Sequence, residues 1–237
     1  MPKSHDWEHL SDLIQDFPPR RPITIEKSFE LLRDRTKALE DFSIFEKFGE
    51  AFFSLPKKNQ VEATEEVILA IHSILFKRIL SNNGKYRSGD EPGGGRVSFG
   101  GALRAETRNR YTGSNPDEIP SCVADAIKQL FTKRNDKIEN AVRFYQLFVL
   151  CHPFYDANGR IARMIFASYL SYYGYIVLWT NMLVKGKAQF IKRINRCHDR
   201  YQSQDKAVYE AQIGHFVDHV KKYIISKSDL GNLSEPE

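Results

Sequence analysis

Cysteine is scarce in this chain of 237 residues: three occur, Cys122, Cys151 and Cys197, an odd number at unrelated spacings. That argues against a disulfide framework and for a reducing compartment. Long apolar runs are lacking as well. The opening MPKSHDWEHLSDLIQDF is charged where a secretory signal would be apolar, and no later stretch approaches a membrane span. A cytoplasmic protein without a membrane partner is the expectation. Nor is there a block of one charge, since 35 basic residues interleave with 30 acidic ones to leave a net +5. Even with a pI near 9.0, most of this charge reads as solvated surface, so nucleic acid is not favoured as a partner. Repeats and low-complexity segments are missing, and GGGR at 93–96 lacks the Gly-Lys-Ser/Thr of a P-loop. Cys197, His198, His215 and His219 imitate a zinc site without any Cys-x-x-Cys, and the histidines read as surface residues.

What remains is ordinary hydrophobic content, 41%, enough for one substantial core. Residues 1–23 end in FPPRRP, whose prolines favour an extended arm. Apolar residues then recur at helical spacing from Ile25 to Phe53, with a break near Asp41 and Phe42 that makes two short helices. ATEEVILAIHSILFKRIL, residues 63–80, carries acids early and bases late, as the helix dipole favours. RVSF at 96–99 and RNRYT at 108–112 are short extended candidates for a small hairpin. Further helices are expected from Ser121 to Phe131, over 135–151, from Arg160 onward, and over 187–202 and 209–224, before a frayed tail. The expected fold is all-α with one small hairpin, divided into a helical extension over 1–55, a main domain over 56–225 and a flexible tail over 226–237.

One stretch concentrates chemistry: HPFYDANGR, residues 152–160. Pro153 and the Asn158–Gly159 pair interrupt any continuous helix, so a structured loop should open onto a helix near Gly159 or Arg160. Backbone N–H groups of Ala157, Asn158, Gly159 and Arg160 can then converge in an anion-binding nest, which small side chains at 157 and 159 leave open. Arg160 and Arg163 lie three apart and project from nearly one helix face, suited to further phosphates. Asp156 would repel those phosphates unless a cation intervened, which makes it a natural Mg²⁺ ligand. His152 is a proton acceptor at neutral pH, Phe154 an anchor, Cys151 and His72 packed side chains. A base, a carboxylate, a nest and two arginines together describe transfer of a phosphorus-centred group from a nucleotide to a hydroxyl.

HPFYDANGRIAR resembles the signature of the Fic family, HPFx(D/E)GNGRxxR, with Ala157 where the family usually has glycine. LAIHSILFKRI, NNGKYR and GRVSFGG are similar to the elements that precede that signature, and the resemblance covers about residues 60–185. It implies a protein adenylyltransferase that passes AMP from ATP to a Ser, Thr or Tyr hydroxyl of a target protein and releases pyrophosphate. In that reading His152 is the general base and Asp156 holds Mg²⁺. Ala157, Asn158, Gly159 and Arg160 line the α- and β-phosphate site, and Arg163 grips the γ-phosphate. Arg96, Val97, Ser98, Phe99 and Gly100 form a flap that aligns the target as an added strand. Doc proteins, which phosphorylate instead, usually have lysine at the position of Gly159. Many Fic proteins carry an inhibitory (S/T)xxxE(G/N) helix, and TKALED supplies Thr36 and Glu40 at that spacing, with Asp41 in the last place. Other expectations stay open: phosphoryl transfer, another nucleotide donor, AMP removal, a non-catalytic nucleotide- or nucleic-acid-binding regulator, self-modification, and assembly as a homo-oligomer.

Overall fold

The computed structural model describes residues 25–40, 44–91, 93–99 and 111–231. The fold is helical, with ten α-helices among those residues. Helices α1 (Ile25–Glu40) and α2 (Ile44–Ser54) match the two expected from the apolar period. Helix α3 (Lys57–Phe76) begins earlier than expected, directly after Pro56, and ends at a turn where Arg78 has φ 65. The hairpin follows: β1 (Ser98–Phe99) pairs antiparallel with β2 (Tyr111–Thr112), Phe99 opposite Tyr111. A 3₁₀ turn leads into α4 (Ile119–Leu130), and α5 (Lys137–Cys151) delivers the chain to the motif. Beyond it lie α6 (Asn158–Tyr172), β3 (Tyr175–Val177), α7 (Trp179–Val184), α8 (Lys187–Gln202), α9 (Lys206–Lys221), β4 (Ile224–Ser226) and α10 (Lys227–Gly231).

Helix α5 is the axis of the molecule, in contact with α4, α6, α8 and α9. A helix buried on most sides must satisfy its polar side chains internally, and this one does so at every described side chain but Gln146, whose Nε2 is buried without a partner among the described residues. The Asn140 amide donates to the carbonyls of Leu130 (3.3 Å) and Thr132 (2.9 Å), and its oxygen accepts from Arg134. Arg143 pairs with Glu139 at 2.7 Å and with Glu210 of α9, while Gln146 accepts from the Tyr209 hydroxyl at 2.8 Å.

Packing at two places bears on the expected division of the chain. Leu32, Leu39, Ile44, Phe45 and Phe52 join the same hydrophobic cluster as the motif helices, the Phe45 amide donates to Ser168 of α6, and Arg35 donates to the carbonyls of Leu75 and Lys77. Within the described residues, packing therefore shows no boundary near residue 55. The start of the supposed tail is also ordered: β4 pairs antiparallel with β3, Ile225 opposite Ile176, and α10 follows. The three-residue strands are too short for alternation to announce them. Residues 232–237 and the arm at 1–24 lie outside the described residues, and no described helix is long and apolar enough to cross a membrane.

Asp136 caps α5 by accepting from the amides of Ile138 (2.9 Å) and Glu139 (3.1 Å), and it pairs with Lys221 at 2.7 Å. Burial opposes its charge, but these partners prevail and hold the carboxyl below its ordinary range. A depressed carboxyl pKa contributes stability above the unfolded value and loses it as pH falls through the folded one. Asp136→Ala should therefore lower stability by about 1 kcal/mol or more at neutral pH, and Asp136→Asn, which can still cap, by less. The gap between wild type and the Asn variant, measured by urea denaturation, should close as pH falls below about 3.9.

Candidate active site

Helix α5 ends because His152 adopts a left-handed conformation, φ 53 and ψ 58, and Pro153 follows. For a residue other than glycine that conformation costs roughly 1–2 kcal/mol, so surrounding bonds must enforce it. The His152 amide still donates to Phe148 (3.1 Å), and Arg87 Nε donates to the His152 carbonyl (2.7 Å). The imidazole Nδ1 lies 3.3 Å from the Val149 carbonyl. A carbonyl can only accept, so this contact assigns the proton to Nδ1 and leaves Nε2 as the acceptor. The ring stacks on Phe99 of the hairpin, centroids 4.2 Å apart and 10° from parallel. Burial lowers its pKa to about 4, and the Arg87 charge acts in the same direction. His152 is a neutral base.

The loop after it is closed by one side chain. Asn158 Oδ1 accepts from the Phe154 amide at 2.9 Å and its Nδ2 donates to the Phe154 carbonyl at 2.8 Å. Phe154 is fully buried and stacks on His72 at 4.0 Å, so it is the anchor expected of it. His72 accepts from the Gly84 amide through Nδ1, and burial lowers its pKa to about 4. The Asn158 side chain is thus committed to the loop, and the residue offers a ligand its backbone N–H instead.

Helix α6 starts at Asn158, slightly ahead of the expected start, with Ala157 as its left-handed cap, φ 64. The Ala157 amide is turned toward Asp156 Oδ1 at 2.6 Å and so is taken out of the expected nest. Asn158, Gly159 and Arg160 keep first-turn N–H groups that no helix can satisfy from within. A Cβ built on Gly159 would meet only the Arg163 guanidinium, at 3.6 Å. Packing does not demand glycine there; its absence of side chain leaves the amides open to approach. Arg160 Nη1 is buried without a partner among the described residues, and Arg163 lies against the Tyr145 hydroxyl. An orphaned guanidinium nitrogen beside an open helix N-terminus fits a nucleotide phosphate. Asp156 is exposed at the mouth of the same loop. No trio of His, Cys, Asp or Glu among the described residues forms a ready metal cage. Mg²⁺, which takes one or two carboxylates together with substrate phosphates, suits a single carboxylate in this position.

The hairpin covers the base. Arg96 and Ser98 are exposed, Val97 and Phe99 half-buried, and Gly100 lies outside the described residues. Tyr111 bolts the hairpin to α8, its hydroxyl 3.1 Å from the Asn195 carbonyl and 3.0 Å from Asp199 Oδ1. His198 sits beneath, edge-on to Tyr111 at 5.1 Å. Burial lowers its pKa to about 3. The surface reading of the histidines is therefore corrected: His198 and His219 are buried and His215 is exposed. Phe190, Ile194, Cys197 and His198 share the buried face of α8, a helical spacing that signals the placement in advance. Cys151 is buried as expected, its thiol pushed up to about 12 by burial, which disfavours a nucleophilic thiolate. Thr36 turns its hydroxyl to the Leu32 carbonyl of its own helix, and the Glu40 side chain lies outside the described residues. Arg87 is buried as well, with no apolar period around it to signal that placement in the sequence.

Residues 62–170 match the model of the Fic/DOC family. The chain's fold is shared with the crystal structure of a Fic-domain-containing signalling protein from Bacteroides thetaiotaomicron VPI-5482, with TM-score 0.56 and 15% identity over 93% of this chain and 81% of that one. A Fic family protein from Desulfovibrio desulfuricans G20 aligns at TM-score 0.44 and 17% identity over 100% and 77% of the two chains. No curated protein matches.

Ala157 tests the tightness of the loop. Its methyl is buried, worth about 0.8 kcal/mol, while its left-handed φ costs roughly 1–2 kcal/mol. Ala157→Gly should leave the unfolding free energy from urea denaturation within about 1 kcal/mol of wild type, whereas the branched side chain of Ala157→Val should destabilise by more than about 2 kcal/mol. Equal midpoints for both variants would show that the loop relaxes around a Cβ branch.

Proposed function

We propose that this protein is a Mg²⁺- and ATP-dependent protein adenylyltransferase that modifies a Ser, Thr or Tyr hydroxyl of a target protein. The match of residues 62–170 to the Fic/DOC family model supports Fic-type nucleotidyl or phosphoryl transfer in general. One observation carries the finer reading: a neutral His152 beside a helix N-terminus where Arg160 Nη1 is buried without a partner. Gly159, where Doc proteins usually carry lysine, favours adenylyl over phosphoryl transfer.

In this mechanism the N–H groups of Asn158, Gly159 and Arg160 hold the α- and β-phosphates, and the Arg160 guanidinium neutralises charge on them. Arg163 receives the γ-phosphate. Asp156 would hold Mg²⁺, which when bound supplies charge neutralisation at the phosphates. A target segment lies along the hairpin edge and presents its hydroxyl to His152 Nε2. As the hydroxyl oxygen bonds to the α-phosphorus, its proton passes to Nε2 and the bond to the bridging oxygen breaks. Pyrophosphate leaves. Glu40 in this reading restrains the site from α1, by competing for Arg163.

Intact-protein mass spectrometry after incubation of the chain with ATP and Mg²⁺, alone and with cell lysate proteins, tests the reading. An AMP-sized increment is expected for wild type or Glu40→Gly, and none for His152→Ala with ATP binding retained. A phosphate-sized increment would replace adenylyl by phosphoryl transfer, and full activity in His152→Ala would remove the base from its role. The sign of the His152 shift adds a pH test: a base whose pKa is lowered to about 4 stays competent through neutral pH. The profile of kcat/KM should therefore show no acid limb near 6.5 and should fall only as pH approaches 4.

A further inference from the structure

Arg87 is 2% exposed, yet no carboxylate among the described residues pairs with it. Its guanidinium is spent on backbone carbonyls drawn from three separate segments. Nε donates to His152 (2.7 Å) and Nη2 to Cys151 (3.2 Å), at the end of α5. Nη1 donates to Gly95 (2.6 Å), just before β1, and Nη2 also to Ser114 (2.7 Å), just after β2. Its own amide donates to the Pro153 carbonyl at 3.1 Å. One side chain thus holds both roots of the hairpin and the residue that bears the base.

Glycines make room for this clamp. Gly95 has φ 62, and a Cβ on it would stand 2.3 Å from the Ser88 carbonyl oxygen. A Cβ on Gly113 would stand 2.5 Å from Arg87 Nη2 and 3.1 Å from His152 Cβ. Gly113 also donates its amide to Val97 at 3.1 Å, and Ser114 donates to Cys151 at 3.0 Å, so β1, β2 and the end of α5 form one hydrogen-bonded unit around the guanidinium.

We propose that Arg87 is a positioning residue for the transfer reaction: it sets the distance between the hairpin edge, on which the target hydroxyl is presented, and His152. The proposal rests on the reading of the site given above. Lysine cannot replace the arginine, because one ammonium lacks the planar fork that reaches four carbonyls in different directions. Nucleotide binding does not depend on it, since the phosphate groups belong to α6 and Arg87 touches none of them.

The test uses the full chain as wild type, Arg87→Lys and Gly113→Ala, the last disturbing the clamp while the charge stays. Hydrogen exchange, ATP binding by calorimetry and transfer kinetics are read on each. Both variants should lose amide protection over 95–99, 111–114 and 151–154 while α8 and α9 keep theirs. ATP affinity should stay within about twofold, and kcat should fall by about tenfold or more, as for a misplaced reactant. Three results would overturn the proposal: wild-type exchange at the hairpin roots, uniform loss of protection with loss of ATP binding, or a raised KM for ATP at unchanged kcat. Should wild type transfer nothing from ATP, the choice of donor fails, and the exchange pattern still decides whether Arg87 couples hairpin to base.

Discussion

A buried cation held by carbonyl dipoles alone organises this molecule. Taking a guanidinium out of water costs several kcal/mol, and each charge-assisted hydrogen bond returns roughly 1.5–3 kcal/mol. The contacts of Arg87 with His152, Cys151, Gly95 and Ser114 are enough to offset that penalty without an acid. Two of these carbonyls lie at the C-terminus of α5, where unsatisfied oxygens and the negative end of the dipole gather. The cation is thus a helix cap. The next helix opens a few residues later with its positive end and its unsatisfied amides. The site lies between two helix ends of opposite sign, one neutralised from within the protein and the other left for an anion.

That arrangement explains the state of His152. Burial and a cation behind its backbone both oppose a second positive charge. The same surroundings exclude water from one side of the imidazole, so its remaining lone pair faces a prepared environment instead of bulk solvent. Hydrophobic cover and a nearby charge act together, and neither needs an acidic partner of the kind found in hydrolytic triads.

The motif was legible in the sequence because its parts are neighbours along the chain. Pro153, the Asn158–Gly159 pair and the spacing of Arg160 and Arg163 all act within a loop and one helical turn, where local rules hold. The division of labour inside the loop was less legible. The Asn158 side chain turned out to close the loop, and the Ala157 amide to serve Asp156. What acts across the chain was hidden: Arg87 is 65 residues from its His152 carbonyl, and nothing beside it in NNGKYR marks it as buried. The pairing of β3 with β4 was hidden for the same reason, since three residues of apolar chain resemble any helix fragment.

That pairing gives the C-terminal part of the chain a distinct character. The antiparallel register that sets Tyr175 opposite Ser226 and Val177 opposite Ile224, extended by the hydrogen bonds that the Leu178 amide donates to the Tyr223 carbonyl and the Lys227 amide to the Gly174 carbonyl, fastens both ends of the segment that contains α7, α8 and α9. The segment is a closed loop of chain, able to open and re-form as a cooperative unit while the stapled strands hold its ends together. Tyr111 hangs the hairpin on that unit through Asp199. Each opening would release the hairpin from its outer anchor and leave only its inner one. The outer anchor of the hairpin is thereby tied to the local folding equilibrium of the helices between β3 and β4.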